Sequence, residues 1–205
     1  MSTWAIVVAA GSGERFGARK QYAPIGGQRV LDWSLRAASQ HCDGVVLVVP
    51  PDVAGEPEPA ADVVVAGGAS RSASVRNGLA AVPDDAEVIV VHDAARPVPV
   101  TGVWERVLAA VADGADGAVP AVPVTDTLRE VDGVAVDRAR FVAVQTPQAF
   151  RATALRAAHA AGEDATDDAS LVEAAGGRVV VVDGDRANVK VTDPVDLTLA
   201  ELLCR

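Results

Sequence analysis

A glycine-rich stretch near the N-terminus carries the residue types best suited to binding phosphate. It follows the apolar run at residues 5–10, whose β-branched, non-alternating composition is typical of a strand covered on both faces. The glycines and cations of the stretch are Gly11, Gly13, Gly17, Arg15, Arg19 and Lys20. Glycines allow positive φ and a close approach of a ligand to the backbone, and successive exposed amides attract anions. We therefore interpret the stretch as a phosphate-binding loop.

Three alternatives compete with this interpretation. A dinucleotide loop has the spacing Gly-x-Gly-x-x-Gly, but here the third glycine comes one residue late, and the next apolar strand ends in Pro50-Pro51 instead of an acid. The Gly-x-x-x-x-Gly-Lys-Ser/Thr string of a P-loop does not occur. A glycine-rich turn without any ligand stays open from this stretch alone. Such a turn, however, has no need of two arginines and a lysine within six residues.

Lysine usage points to a second cation at the far end of the chain. Of 18 cationic residues 16 are arginine, and the two lysines are Lys20 and Lys190. Lysine is a compact charge on a flexible stem, so a chain that otherwise uses arginine is expected to keep it where such a charge is needed. A further candidate is the turn at residues 92–97, where Asp93 and Arg96 either pair with each other or face a ligand.

Composition restricts the class of partner. The chain has 205 residues, 50% hydrophobic and 3% aromatic, with a net charge of −10. This length suits one well-filled domain, which we place at residues 1–205. The negative charge argues against non-specific binding to nucleic acid or to an anionic membrane. A polyanionic ligand would therefore need a locally positive pocket.

The cysteines and the apolar runs indicate the compartment. Cys42 and Cys204 fit no metal or redox spacing and are predicted to be free thiols. We find no signal-peptide pattern, and no apolar run approaches the roughly 20 residues of a membrane span. We therefore expect a reducing, cytoplasmic setting.

The elements that must position these residues alternate between apolar strands and amphipathic helices. Strands are predicted at residues 5–10, 45–49, 63–65, 87–91, 117–122 and 178–182. Helices are predicted at residues 30–40, 70–82, 102–113, 151–161 and 167–175, with a last helix that begins at 193–194. This order predicts an α/β fold with a doubly wound, mostly parallel sheet of Rossmann-like type. Ligands of such a sheet bind beyond the carboxyl ends of its strands, where the glycine loop, Gly67-Gly68 and residues 92–97 all fall.

Residues 123–140, which we call the arm, interrupt this alternation. Two alternating segments, 126–131 and 134–138, flank Asp132-Gly133, and this is a strong signal for a β-hairpin. An isolated hairpin is only marginally stable in water. We therefore expect the arm to pack on a partner subunit in a homodimer.

Several ordered motifs carry a resemblance to a known family. They are residues 9–15 with 20–22, Gly68 with Arg71 and Ser74-Val75, and residues 92–97, 146–148, 166–169 and 189–192. Together they make the chain similar to the nucleotidyltransferases that activate sugar and polyol phosphates. More closely, it resembles the 2-C-methyl-D-erythritol 4-phosphate cytidylyltransferases of the non-mevalonate isoprenoid route. The resemblance covers residues 4–202, which is essentially the whole chain.

The resemblance implies a reaction and a set of site residues. The cytidylyl group of CTP would pass to 2-C-methyl-D-erythritol 4-phosphate, with release of pyrophosphate. The implied catalytic residues are Arg15, Lys20, Arg138 and Lys190. The implied CTP site comprises Ala9, Ala10, Gly11, Gly13, Arg15, Lys20, Gly68, Ser74, Asp93 and Lys190. The implied polyol-phosphate site, completed by the arm of the partner subunit, comprises Asp93, Arg96, Thr127 and Arg138. Mg²⁺ is expected as a cofactor, held mainly by phosphate oxygens and water, with Asp93 as a candidate protein ligand.

One departure from the family pattern and two rival functions accompany the resemblance. The residue before the first lysine is often proline in this family and is Arg19 here, which leaves open whether Arg19 contacts CTP. A ribitol 5-phosphate cytidylyltransferase would share nearly every motif. A non-catalytic nucleotide-binding protein on the same fold is the other rival. Asp167 and Asp168 are interpreted as helix caps.

Overall fold

The computed structural model of the chain describes residues 1–11 and 16–204. Its strands are β1 (Thr3–Val8), β2 (Pro24–Ile25), β3 (Gln28–Arg29), β4 (Gly44–Val49), β5 (Val63–Ala66), β6 (Val88–Asp93), β7 (Gly117–Pro123), β8 (Val142–Val144), β9 (Gln148–Arg151) and β10 (Val179–Asp183). Its α-helices are α1 (Val30–His41), α2 (Arg71–Leu79), α3 (Thr101–Ala112), α4 (Ala152–Ala160), α5 (Asp168–Ala174) and α6 (Pro194–Leu203). Short 3-10 helices lie at Lys20–Tyr22, Pro51–Val53 and Arg138–Arg140.

Eight strands of the described chain form one sheet in the order β10-β7-β9-β6-β1-β4-β5, with β8 paired to β7. The neighbours β5, β4, β1 and β6 are parallel, as are β10 and β7, whereas β9 runs antiparallel between β6 and β7. This confirms the predicted α/β fold with a mostly parallel sheet. Because β4 and β6 flank β1 on opposite sides, the strand order reverses there, and a crevice opens at the carboxyl ends of these strands.

The central strand is buried on both faces, as its continuous apolar composition predicts. Val7 packs with Leu35 of α1 and Trp104 of α3 in one core cluster. Ile6 points to the other face and packs in a second cluster with Val75 of α2. Helices therefore cover both sides of the sheet and give the loops at its carboxyl edge a rigid base.

The cysteines are free thiols, as predicted, with Cys42 half-buried and Cys204 buried. Burial raises the pKa of Cys42 to about 12 and that of Cys204 to about 11. In the part of the chain that the structure describes, no helix combines the length and the apolar content of a membrane span.

The arm forms a hairpin that is shorter than predicted. Its turn is closed by the Gly133 amide, which donates to the Glu130 carbonyl at 3.2 Å, and two bonds link its sides, from the Glu130 amide to the Val134 carbonyl at 3.3 Å and from the Val136 amide to the Leu128 carbonyl at 3.0 Å. In the described residues the paired part is limited to one antiparallel bridge, between Arg129 and Ala135. Arg138 lies in a 3-10 helix and not at a strand end. A two-stranded ribbon needs a neighbouring layer to extend its ladder, and a single chain does not supply one here.

Strand β9 was not predicted from the sequence pattern. The sequence pattern assigns no strand to residues 148–151 and begins a helix at residue 151, whereas β9 covers Gln148–Arg151 and α4 begins at Ala152. Four residues are too few to show a period, and a buried glutamine does not signal a central strand. The strand nevertheless joins the two halves of the sheet, since it pairs with both β6 and β7.

Candidate active site

A cleft of about 450 Å³ opens at the carboxyl ends of β1, β5 and β6. Eight of the residues predicted to bind CTP line it, and these are Ala9, Ala10, Gly11, Lys20, Gly68, Ser74, Asp93 and Lys190. The other two, Gly13 and Arg15, lie outside the described residues. Lys20 and Lys190 come from opposite ends of the sequence and share this one cleft. The fold thus brings together the two cations that lysine usage singled out.

The loop after β1 is shaped by a buried glutamine. Gln21 is 3% exposed, and its Nε2 donates to the backbone carbonyls of Ala9 at 2.7 Å and Gly11 at 3.3 Å. These bonds tie the start of the loop to the 3-10 helix that carries Lys20 at the cleft. Gly17 uses the conformational freedom expected of the glycines in this stretch, with φ at 76°. No role was assigned to Gln21 from sequence, although it lies within one of the motifs.

The glycines after β5 let the opposite rim of the cleft fold tightly. A Cβ on Gly68 would lie 2.5 Å from the Cβ of Ala73, so a larger residue does not fit. The Gly68 amide donates to Ser74 Oγ at 3.1 Å, and that hydroxyl donates to the Ser70 carbonyl at 2.9 Å. Ser70 also caps α2, accepting from the Ala73 amide at 3.0 Å. Ser74 therefore shapes the rim as well as lining the cleft.

Asp93 lies at the end of β6 between two cations. Lys190 Nζ donates to its Oδ2 at 2.6 Å, and Arg71 Nε lies 3.7 Å from its Oδ1. Burial by itself would raise the pKa of Asp93, but the charges of Lys190 and Arg71 hold it well below its usual range. The sequence left open whether Asp93 pairs with Arg96 or faces a ligand. In the structure Asp93 pairs instead with Lys190 and Arg71.

Arg96 lines a second, smaller cavity beside the cleft. It is 9% exposed, and its guanidinium donates to the Asn188 carbonyl at 2.6 Å. Burial lowers the pKa of Arg96, although it stays a cation at neutral pH. The cavity has a volume of about 240 Å³ and shares Arg71, Asp93 and Lys190 with the cleft. The two spaces therefore meet at the ion pair between Asp93 and Lys190.

His92 supports the turn without facing the cleft. A carbonyl only accepts, so His92 Nε2 donates to the Arg96 carbonyl at 3.3 Å. In the neutral ring Nδ1 therefore accepts from the Thr146 hydroxyl at 3.1 Å, and Thr146 Oγ1 in turn accepts from the Asp93 amide at 3.0 Å. Burial lowers the pKa of His92 to about 4. The imidazole is therefore neutral at pH 7 and holds Asp93 in place through Thr146.

Arg71, which lines the cleft, and Asp168, which lies behind it, were missed as site residues. Asp167 caps α5 as predicted, accepting from the Ser170 amide at 3.1 Å. Asp168 does not cap the helix: it is fully buried and forms an ion pair with Arg71 at 2.8 Å. Each residue had one sequence signal, its place in a family motif: Arg71 stands beside Gly68, and Asp168 lies within residues 166–169.

The remaining predicted residues lie away from the cleft. Thr127 and Arg138 are exposed on the arm, and the Arg138 guanidinium donates to the Thr125 carbonyl. Arg19 forms an ion pair with Asp52 at 2.8 Å, with the guanidinium half-exposed. Its charge therefore faces Asp52, and Arg19 is not among the described residues that line the cleft.

The described residues do not fit a metal held by the protein. They contain no group of three or more His, Cys, Asp or Glu side chains able to hold an ion. Asp93 is the one carboxylate among the described residues that line the cleft, and its two oxygens face Lys190 and Arg71. Two cations at such distances oppose the binding of a divalent cation to the same carboxylate.

Comparisons with known proteins identify the family of the chain. Residues 3–205 match the family model for 2-C-methyl-D-erythritol 4-phosphate cytidylyltransferase. The protein of that name from Streptomyces coelicolor is 44% identical over 97% of this chain and 83% of its own length. The one from Nocardia farcinica is 43% identical over 98% of this chain and 94% of its own. The crystal structure of the Thermus thermophilus enzyme superposes with a TM-score of 0.85 at 38% identity, over 98% of both chains. The chain therefore belongs to the 2-C-methyl-D-erythritol 4-phosphate cytidylyltransferase family.

Proposed function

We propose that this chain transfers the cytidylyl group of CTP to 2-C-methyl-D-erythritol 4-phosphate and releases pyrophosphate, a step of non-mevalonate isoprenoid precursor biosynthesis. Family membership supports the activity and the substrates. The observation that carries the proposal is the single cleft lined by both Lys20 and Lys190. A triphosphate and a phosphate monoester repel each other. A protein of net charge −10 therefore needs such a local concentration of cations to bring them together.

In this proposal the backbone after β1 receives the nucleoside. Cytosine and ribose lie against Ala9, Ala10 and Gly11, while Gly68 and Ser74 close the end of the cleft that holds the base. Gly11 suits this role, because it is exposed and, among the described residues other than its chain neighbours, no atom lies within 4 Å of where its Cβ would stand. The triphosphate then extends toward Lys20. The roles of Gly13 and Arg15 at the phosphates stay predictions, since both lie outside the described residues.

The chemistry is an in-line displacement at the α-phosphorus of CTP. A phosphate oxygen of the polyol phosphate forms a new bond to that phosphorus, the bond from the phosphorus to the oxygen bridging to the β-phosphate breaks, and pyrophosphate leaves with the electron pair. No protein nucleophile is required, so the chain contributes position and charge. Lys20 and Lys190 stabilise the charge that develops on the transferring group and on the leaving group.

Magnesium enters this proposal as part of the nucleotide substrate. Mg²⁺ dehydrates reluctantly and is commonly held by phosphate oxygens and water. The potential metal ligands of the cleft support this arrangement, since Asp93 is the one carboxylate among its described lining residues and both of its oxygens face cations. We propose that the ion arrives on the triphosphate, and we assign no protein ligand to it.

We propose that the polyol phosphate binds in the second cavity and that a partner subunit completes the site. Asp93 and Arg96 line that cavity. Thr127 and Arg138, on the arm, are assigned to the polyol site of the partner subunit in a homodimer. Exposed apolar side chains on and after the arm support a subunit contact, and these are Val131, Val134, Phe141 and Val142. A cytoplasmic location also stays a prediction, to be checked by cell fractionation.

Subunit complementation tests the shared site. Lys190→Ala and Arg138→Ala homodimers should each be nearly inactive for different reasons. Mixing and reassociating them should give heterodimers with one intact site, which takes Lys190 from one chain and Arg138 from the other. About a quarter of the parent activity should therefore return at random assortment. If both residues served the same chain's site, no activity would return, and the assignment of Arg138 to the partner would be wrong.

The substrate assignment is tested by assaying pyrophosphate release from CTP with two acceptors. The methylerythritol phosphate should be used with a kcat/KM at least about 100-fold above that of ribitol 5-phosphate, because pocket contacts that fit one polyol leave polar groups unpaired with the other. A preference for ribitol 5-phosphate would replace the proposed acceptor. No turnover with either acceptor, together with CTP binding, would identify a non-catalytic nucleotide-binding protein.

A further inference from the structure

A buried ion pair stands directly behind the catalytic cleft. Asp168 is fully buried and accepts from Arg71 at 2.8 Å through one oxygen and from His159 Nε2 at 3.0 Å through the other. The side chain of Arg71 is 25% exposed and lines the cleft. Asp168 therefore fixes one end of a guanidinium whose other edge faces the site.

That other edge faces Asp93. Arg71 Nε lies 3.7 Å from Asp93 Oδ1, while Lys190 Nζ binds Asp93 Oδ2 at 2.6 Å. Burial opposes the charge on Arg71, but Asp168 and Asp93 together raise the pKa of its guanidinium. The side chains of Asp168, Arg71, Asp93 and Lys190 thus form a row of alternating charge that ends where the cleft and the second cavity meet.

The two helices that carry the buried pair are joined by a reciprocal contact. The Ala165 amide donates to Ser72 Oγ at 3.0 Å, and the Ser72 hydroxyl donates to the Ala165 carbonyl at 3.2 Å. Ser72 follows Arg71 in the first turn of α2, and Ala165 precedes α5. The separation between Arg71 and Asp168 is therefore set by the bonds between the Ser72 hydroxyl and the Ala165 backbone, as well as by their own charges.

We infer that Asp168 and Arg71 are positioning residues for Lys190. When Lys190 turns from Asp93 toward the reacting phosphates, Asp93 would lose its nearest cation while remaining largely buried. Arg71, anchored by Asp168, stays beside the carboxylate and keeps it compensated, so that the lysine can move at low cost. This inference rests on the proposed function for the movement of Lys190 to phosphate, but the resting geometry that it requires can be measured without turnover.

Two variants separate positioning from folding. Asp168→Asn keeps the shape of the side chain and removes the anchoring charge. The double variant Arg71→Met with Asp168→Leu replaces both charges of the pair by apolar side chains, a change that often preserves stability. His159 loses its Asp168 partner in this variant, so the variant's free energy of unfolding is measured beside its activity. Glu163→Gln is the matched control, because its exposed carboxylate lies on the segment before α5. We expect both test variants to lose about 10- to 100-fold in kcat with KM for CTP changed less than about threefold, and the control to match the parent.

A readout independent of activity follows from the two lysines of the chain. Lysine labelled with carbon-13 at Cε gives one signal for Lys20 and one for Lys190, which single lysine-to-arginine variants assign. In both test variants the Lys190 signal should shift while the Lys20 signal stays in place. Folded variants with an unmoved Lys190 signal would overturn the inference, as would recovery of parent kcat in the double variant. If the cytidylyl-transfer proposal is wrong, the parent enzyme will be inactive, while the Lys190 signal will still shift in the two test variants.

Discussion

Replacing Lys190 with alanine removes one of the two ammonium groups of the cleft and leaves the rest of the site in place. The lysine side chain is 43% exposed, and its ammonium pairs with the Asp93 carboxylate at 2.6 Å. Asp93 keeps Arg71 at 3.7 Å after the substitution, so a buried charge is not left without a counter-ion. The fold should therefore lose no more than the ~1 kcal/mol typical of a partly exposed ion pair.

The catalytic loss should be much larger than the loss of stability. In the proposed role Lys190 faces charge that grows in the transition state, and deletion of one such donor costs about 100- to 1,000-fold in kcat, or roughly 3–4 kcal/mol. Lys190→Arg should recover little of this, since a planar guanidinium binds the Asp93 carboxylate in a fork and does not pivot as an ammonium does.

Steady-state pyrophosphate release, with both substrates varied, measures the effect. KM for CTP should change less than kcat, because the contact strengthens in the transition state. Arg178→Ala is the matched control, since it removes one exposed cation outside the cleft. A folded Lys190→Ala enzyme with kcat within about fivefold of the parent would refute the role given to Lys190.

Three further outcomes are expected. Burial lowers the pKa of His92 to about 4, below the ordinary 6.5, so the imidazole binds a proton more readily in the unfolded chain than in the folded one. The free energy of unfolding should therefore fall by up to about 3 kcal/mol from pH 6.5 to pH 4. Chemical denaturation across that pH range measures the free energy of unfolding. If it fell as steeply with pH in His92→Gln as in the parent, His92 would be excluded as the cause. Arg138→Ala should keep the calorimetric affinity for CTP while kcat/KM for the polyol phosphate falls about 100-fold; lost CTP affinity would place Arg138 in the other subsite. Arg19→Ala should change KM for CTP less than about threefold, since the guanidinium faces Asp52, and a larger rise would show that Arg19 reaches the nucleotide.

The fold and the position of the cleft could be predicted because local chemistry marks them. Continuous valine runs fix the buried strands, and glycine marks the ends of β1 and β5. In a parallel sheet the carboxyl ends of neighbouring strands share one edge. The convergence of the loop after β1, Gly68 and Asp93 therefore follows from strand order alone.

The pair of Arg71 and Asp168 could not be predicted in the same way. The two residues are 97 positions apart, and each stands in the first turn of a helix, where an ordinary cap or a solvated charge is the usual finding. Which of two consecutive aspartates faces inward depends on how α5 packs against α2. That packing is a tertiary property, and periodicity in one segment does not encode it.

The choice of lysine at residue 190 has a physical reason in the meeting of the two cavities. Arg71 and Arg96 are held there by fixed partners, the Asp168 carboxylate and the Asn188 carbonyl, as suits a rigid, forked cation. Lys190 instead binds Asp93 at a point that both cavities share. In the proposed function, a rotation of its flexible stem lets its charge serve the nucleotide or the acceptor. A site that must bring two anions together needs fixed cations to bind them and one mobile cation to follow the charge as it moves between them. Lys190, one of the two lysines of this chain, matches that need.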